Sequence, residues 1–317
     1  MIAVLQDVLP VFLLILIGWL SVLSGLLKAE TGEALGEFVF RIAVPVLLFR
    51  TIANADVGAG TPLKLWLAYF SGVAIAWTAG HLAATRLFGR DRRTGVIAGV
   101  SSAFANNVFI GLPLVERVVG EKGIVAVSVL LAVHLPLMMV AGTVLMEEAV
   151  RRETGVPGRG ILAVIRQTLL NLVQNPLVIG LLVGSAVHFS GWRLPAMLDT
   201  LTAQIAGIAG PAALLSLGMA LRSYGISGNL GLSTLIAGFK LMLLPGAVWL
   251  TGHLFGLSPE WAAAMVLTSS VPTGVNAWLI ANRFGTGQGL AASAITISTL
   301  LGVLSVTFWA TLAGAAG

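Results

Sequence analysis

Apolar residues run along this chain in stretches of about 20, the length of one helical bilayer crossing, parted by short polar intervals. Ten stretches can be read, at 2–26, 35–53, 63–87, 96–115, 124–146, 169–189, 198–221, 230–255, 261–281 and 290–312. Two of them are interrupted. The fourth contains Asn106-Asn107-Val108-Phe109-Ile110-Gly111-Leu112-Pro113 and the ninth Val271-Pro272-Thr273-Gly274-Val275-Asn276. Amides, glycine and proline stand there where a membrane helix should continue, and irregular backbone at that depth is tolerated only if buried in protein or lining a cavity. These two stretches are the expected functional centre. The longest polar interval is only 147–159, which leaves no room for a sizeable soluble domain. The first run has no basic residue before it and no small-residue cleavage pattern after it, so it reads as a retained span and not as a signal peptide.

Composition agrees with that pattern. The 317 residues are 57% hydrophobic and 10% charged, against about 25% charged in a soluble domain, and mean hydropathy is +0.97. An all-α polytopic membrane protein follows, with the lipid bilayer as its surroundings. The net charge of +5 comes from 18 Lys and Arg scattered through short loops. They form no basic stripe, so nucleic acid is not an expected partner. Topology accounts for them better. With the N-terminus outside, the cytoplasmic connections hold Lys28, Arg86, Arg90, Arg92, Arg93, Arg151, Arg152, Arg159, Arg166, Arg222 and Arg283, eleven in all. The outer connections hold five, namely Arg50, Lys64, Arg117, Lys122 and Arg193, while Arg41 and Lys240 fall within spans. This bias predicts a plasma-membrane (cell inner membrane) protein with both termini outside and the central loop inside. There is no cysteine, which excludes disulfides, thiolate metal sites and Cys nucleophiles.

The halves of the chain repeat one another. At an offset of 166, Pro10 meets Pro176, Gly18 meets Gly184, Gly25 meets Gly191 and Pro45 meets Pro211. With small indels Ser101-Ser102 matches Ser269-Ser270, Gly80-His81-Leu82 matches Gly252-His253-Leu254, and Gly120 matches Gly285. Five spans per copy is odd, so the second copy enters the membrane from the opposite side. The expected organisation is a first five-helix repeat over 1–150, a cytoplasmic linker over 151–165 and an inverted repeat over 166–317. Inverted repeats with broken helices belong to secondary transporters that hold substrate at the midplane.

Each interruption combines proline, which removes a donor and clashes with the preceding turn, with glycine, which permits a break. Asn side chains there can both donate and accept. The bland alternative is a kinked span whose amides cap freed backbone. Half-helix N-termini brought to one point favour an anion, and small carboxylates or other organic anions fit best, whereas the freed carbonyls and hydroxyls can equally hold a sodium ion. Candidate substrate- or ion-binding residues are Asn106, Asn107, Gly111, Pro113, Pro272, Thr273, Gly274, Asn276 and Lys240. Lys240, near the middle of the eighth span, either neutralises a substrate carboxylate, replaces a coupling cation, or snorkels to the interface. His134 in the fifth span is either a proton carrier or a neutral packing residue. Pro45 and Pro211 occupy equivalent places where they shape hinges or widen the cavity. His81 and His253 read as structural, and Asp7 and Arg41 as interfacial anchors.

Several absences narrow the function. No Asp or Glu falls at the centre of a span, so a carboxylate proton relay has no carrier. No phosphate-binding loop ending in Gly-Lys-Ser/Thr is present. The four histidines lack the spacing of a metal-ligand motif, and no serine lies in a nucleophile turn. An enzyme is therefore not expected, nor any cofactor beyond a coupling sodium ion or proton.

The stretches Phe104-Ala105-Asn106-Asn107-Val108-Phe109-Ile110-Gly111-Leu112-Pro113-Leu114 and Val271-Pro272-Thr273-Gly274-Val275-Asn276-Ala277 resemble the fourth- and ninth-span patterns of the auxin efflux carrier family. That family of secondary transporters includes bacterial malonate-type carriers and plant auxin exporters. Weaker matches are Ile42-Ala43-Val44-Pro45-Val46-Leu47-Leu48-Phe49 and Asn175-Pro176-Leu177-Val178-Ile179-Gly180, and the resemblance spans essentially the whole chain. It implies ten transmembrane helices in two inverted five-helix repeats, with broken fourth and ninth helices crossing near the midplane, and a homodimer. One departure is Asn107, where family members commonly carry threonine or another small polar residue. The expected function is secondary active transport of a small organic anion, a mono- or dicarboxylate, by alternating access with the site at the helix crossover. An anion channel or a receptor that keeps a transporter fold is the alternative.

Overall fold

The computed structural model describes residues 2–55, 61–155 and 160–314, in which secondary structure consists of helices and one isolated antiparallel bridge. The helices are α1 (Ile2–Leu23), α2 (Ala29–Phe38), α3 (Val44–Ala53), α4 (Pro62–Leu82), α5 (Arg92–Ala103), α6 (Leu112–Val118), α7 (Glu121–Thr154) and α8 (Ile161–Val173). They continue with α9 (Pro176–Ser190), α10 (Ala196–Gly207), α11 (Ala209–Tyr224), α12 (Leu230–Gly238), α13 (Leu244–Leu254), α14 (Pro259–Ser270), α15 (Asn276–Arg283) and α16 (Gln288–Leu312). Their ends carry ordinary signals. Asp91 caps α5 by accepting from the Thr94 N–H, and Asn175 and Asn229 cap α9 and α12 in the same way. Gly155 and Gly191 close α7 and α9 in the left-handed conformation, at φ +71° and +67°.

Among the described residues, six helical segments are long and apolar enough to cross a membrane: Val4–Leu23, Pro62–Leu87, Glu121–Thr154, Ala196–Tyr224, Leu230–Leu254 and Gln288–Leu312. The first shows why they belong in lipid. Val4, Val8, Val11 and Ile15 are buried along one face of α1, while Leu5, Leu9, Leu13, Leu16 and Leu20 are exposed along the other. A helix apolar on both faces suits protein on one side and hydrocarbon on the other. The molecule is a multi-pass membrane protein. The other four expected spans fall on interrupted segments: α2 with α3, α5 with α6, α8 with α9, and α14 with α15. Of the linker expected over 151–165, residues 156–159 lie outside the described residues; α7 ends at Thr154 before them and α8 begins at Ile161 after them.

Prolines explain three irregular turns. Wide π-helical turns cover Val39–Ala43, Asn107–Gly111 and Phe239–Leu243, and Pro45, Pro113 and Pro245 stand two residues beyond them. Each proline denies a donor to the carbonyl four residues back and pushes that carbonyl aside, so the turn before it widens. The carbonyl that Pro245 leaves without a helical donor is that of Leu241. It accepts instead from Ser305 Oγ at 2.7 Å and Trp309 Nε1 at 2.9 Å, both on α16. Pro211 lies just past Ile208, where the helical run from α10 to α11 is interrupted.

Packing divides the helices into two groups. In the first, α11 packs on α1 and α2, and α3 on α9 and α10. Two close approaches there are equivalent at the offset of 166. A Cβ on Gly18 would run into the Leu215 backbone carbonyl, and one on Gly184 would stand 2.6 Å from the Phe49 carbonyl oxygen. Only glycine lets these backbones meet so closely. In the second group α4 packs on α5 and α13, α7 on α5 and α14, and α16 on α12 and α14. The interrupted segments α5–α6 and α14–α15 lie within it.

Candidate functional site

The two interruptions are joined to each other. Ala105 and Thr273 form the antiparallel bridge, in which the Asn106 N–H donates to the Pro272 carbonyl at 3.0 Å and the Gly274 N–H to the Phe104 carbonyl at 2.7 Å. Each break thereby satisfies backbone groups that the other has freed, as burial requires. Further bonds fix the pairing. Thr273 Oγ1 donates to the Ser101 carbonyl at 2.9 Å, and the Thr273 N–H donates to Ser298 Oγ of α16 at 3.0 Å. Close approach dictates the glycines. A Cβ on Gly274 would sit 3.1 Å from the Ala105 carbonyl oxygen, and one on Gly111 only 2.5 Å from Thr268 Oγ1.

A cavity of about 250 Å³ opens beside this junction. At roughly 30 Å³ per water, the space equals that of about eight waters and suits a small organic molecule. Its walls are mostly apolar, from Phe40, Phe104, Val108, Phe109, Leu131, Leu135, Val275 and Leu279. Its polar groups are Asn106, Asn107, Asn276 and His134. An apolar pocket with a few convergent polar groups is the usual form of a small-molecule site.

The three asparagines differ in what they already hold. Asn107 Nδ2 donates to the Tyr69 hydroxyl at 3.2 Å and stands 3.5 Å from His134 Nε2, while its Oδ1 accepts from Thr268 Oγ1 at 3.2 Å. Both ends of that amide are engaged. Asn106 is 5% exposed and Asn276 half-buried, and among the described residues neither side chain has a hydrogen-bond partner. Their donors and acceptors are free to meet a ligand. His134 is 2% exposed, with its ring against Tyr69, Phe70 and Phe104 at centroid distances of 5.5, 6.3 and 5.1 Å.

The remaining sequence candidates lie around the cavity and not on its wall. Gly111, Pro113, Pro272, Thr273 and Gly274 build the junction, and Pro113 packs against Gly210 of α11. Lys240 is fully buried, so it does not snorkel to an interface. Its Nζ donates to the Ser269 carbonyl at 2.6 Å and the Val271 carbonyl at 2.5 Å, at the C-terminal end of α14. Pro45 acts at one remove, since the widened turn before it carries Phe40 into the cavity. Pro211 does not reach the cavity. Sequence reasoning missed Tyr69, Thr268 and the aromatic wall of Phe40 and Phe104. Tyr69 had a signal, as one of only two tyrosines in the chain and within a span, where a hydroxyl needs a partner.

Comparison with known proteins gives the family. The family described as "Membrane transport protein" matches residues 3–310. An "Uncharacterized transporter" of Methanothermobacter thermautotrophicus is 25% identical over 311 residues, 96% of either chain. The "Putative malonate transporter" of Rhizobium meliloti is 28% identical over 316 residues, covering 95% of this chain and 92% of that protein. "Uncharacterized transporter YfdV" of Escherichia coli K12 is 21% identical over 311 residues, covering 96% of this chain and 95% of its own. Matched from end to end, with paired breaks in its fourth and ninth apolar segments, the chain belongs to the auxin efflux carrier family of membrane transport proteins.

Proposed function

We propose that this chain is a secondary active transporter of a small organic anion, working by alternating access with the substrate held in the cavity beside the paired breaks. The observation that carries the reading is the pair of unpartnered amides, Asn106 and Asn276, at the wall of an otherwise apolar cavity. A carboxylate accepts from both amide groups, and α15 begins at Asn276, so the positive end of that helix faces the same place. Asn107, locked to Tyr69 and Thr268, positions the first break and does not take the ligand's charge. Ten crossings in two inverted repeats agree with the equivalent approaches of Gly18 and Gly184. The basic residues favour the plasma membrane with both termini outside. A homodimer and coupling to protons belong to the same reading, with His134 as the group that would carry a proton across the cavity wall.

The relative from Rhizobium meliloti makes malonate the first probe. Purified protein in proteoliposomes should take up labelled malonate saturably and show counterflow. Asn106→Ala and Asn276→Ala should each lower uptake at least about tenfold, the worth of a lost hydrogen bond to a charged group, while both variants keep the wild-type melting temperature. Uptake at wild-type rates in both variants would place the substrate elsewhere.

A further inference from the structure

We infer that Lys240 is a resident cation, occupying with its own ammonium the place at the second break where a coupling cation would otherwise be bound. It is the only buried Lys or Arg among the described residues, and no Asp or Glu is buried with it. Its partners are backbone carbonyls, those of Ser269 and Val271. The Nζ lies within hydrogen-bond reach of both carbonyls at once, at 2.6 and 2.5 Å, so one side chain engages both oxygens of the break.

Comparison of the two breaks shows what the charge replaces. The offset of 168 that aligns Ser101 with Ser269 makes their carbonyls equivalent. In the first break the Ser101 carbonyl accepts from a neutral hydroxyl, Thr273 Oγ1 at 2.9 Å. In the second the Ser269 carbonyl accepts from an ammonium. The offset of 172 that aligns His81 with His253 puts Ala68 at the place of Lys240, so the first repeat has no such cation.

Carbonyls at the C-terminal end of a broken half-helix are the groups that coordinate sodium in transporters built from inverted repeats. They carry the negative end of the helix dipole, and a hard cation takes oxygen ligands of this kind. With the ammonium there, the second break carries a fixed positive charge and has no vacancy for a metal ion. Lys240 therefore acts on the substrate through the break and is a positioning residue.

Sodium independence tests this, and its transport arm rests on the proposed function. Wild-type proteoliposomes should take up malonate equally well in sodium and in choline buffers of the same ionic strength. Lys240→Gln keeps a donor without the charge and should lose uptake at least about tenfold in both buffers. Lys240→Ala should lose it in choline and regain a measurable part on addition of propylammonium or sodium, a rescue that a packing role would not give. A second measurement needs no substrate. The wild-type melting temperature should be the same in sodium chloride and choline chloride, whereas that of Lys240→Ala should rise with either rescuing cation. If the wild type transports no malonate but the melting temperatures behave so, the substrate is wrong and the resident cation stands. Sodium-dependent uptake or sodium stabilisation in the wild type would overturn it. So would wild-type uptake by Lys240→Gln. If neither variant folds, the wild-type sodium comparison still decides.

Discussion

At the scale of single residues, the cavity separates side chains held by hydrogen bonds, such as Asn107, from side chains without a partner among the described residues, Asn106 and Asn276. Gly111→Ala would place a Cβ 2.5 Å from Thr268 Oγ1, and forcing a methyl into a closed core costs about 1–3 kcal/mol. Thr268 also donates to Asn107, so the two positions should couple. A thermal-unfolding series should find Gly111→Ala destabilised, Thr268→Ala destabilised by the lost hydrogen bond, and the double variant more stable than the sum of the two predicts. Strict additivity would mean that the methyl is absorbed elsewhere. Asn106 and Asn276 were legible in the sequence because amides inside apolar runs stand out. The different part played by Asn107 was not. Its partners, Tyr69 and Thr268, lie 38 and 161 residues away, and no local pattern announces a hydrogen bond that only the packing of distant segments creates.

At the scale of elements, prolines organise the irregular segments, and their cost is met by side chains from other helices. Leu241 is the clearest instance. Its carbonyl loses its helical donor to Pro245 and gains two from α16, Ser305 Oγ and Trp309 Nε1. Removing either donor leaves the other in place. Ser305→Ala should therefore change stability little, and Trp309→Phe somewhat more because the smaller ring also loses packing. Removing both strands a buried carbonyl, which costs about 1–3 kcal/mol. The double variant should thus melt lower than the two single shifts added together, and no excess loss would show that water satisfies the carbonyl. The sequence announced the breaks through Pro113 and Pro272. It gave less warning of the π-helical turns at Val39–Ala43 and Phe239–Leu243, where one basic residue in each, Arg41 and Lys240, and the proline beyond it are the only marks in an apolar run. For the same reason the ten apolar stretches locate the helical segments well, yet among the described residues only six segments qualify by length and composition.

Over the whole molecule, alternating access requires the group formed by α1, α2, α3, α9, α10 and α11 to move against the group that contains the breaks. The sequence held the clue to the first group in the offset of 166, which relates Gly18 to Gly184, but it could not say that these glycines pack against opposite copies of the same helix, since that follows only from assembly. Relative motion can be tested where the groups touch at an exposed edge. Asp7 on α1 and Arg117 on α6 form an ion pair at 3.9 Å, with both side chains nearly half exposed. Such a pair contributes about 0–1 kcal/mol, so replacing both residues should leave folding intact. The chain has no cysteine, and the Asp7→Cys, Arg117→Cys variant therefore offers a single pair of thiols. Before cross-linking it should take up malonate at close to the wild-type rate. A short thiol-reactive cross-linker should then stop uptake by holding α1 to α6, a long flexible one should restrain it less, and a cleavable one should allow recovery on reduction. A channel through a static cavity would conduct regardless of the link. Full uptake after complete short cross-linking would mean either that these groups move as one body or that no such movement is needed, and both outcomes count against alternating access between them.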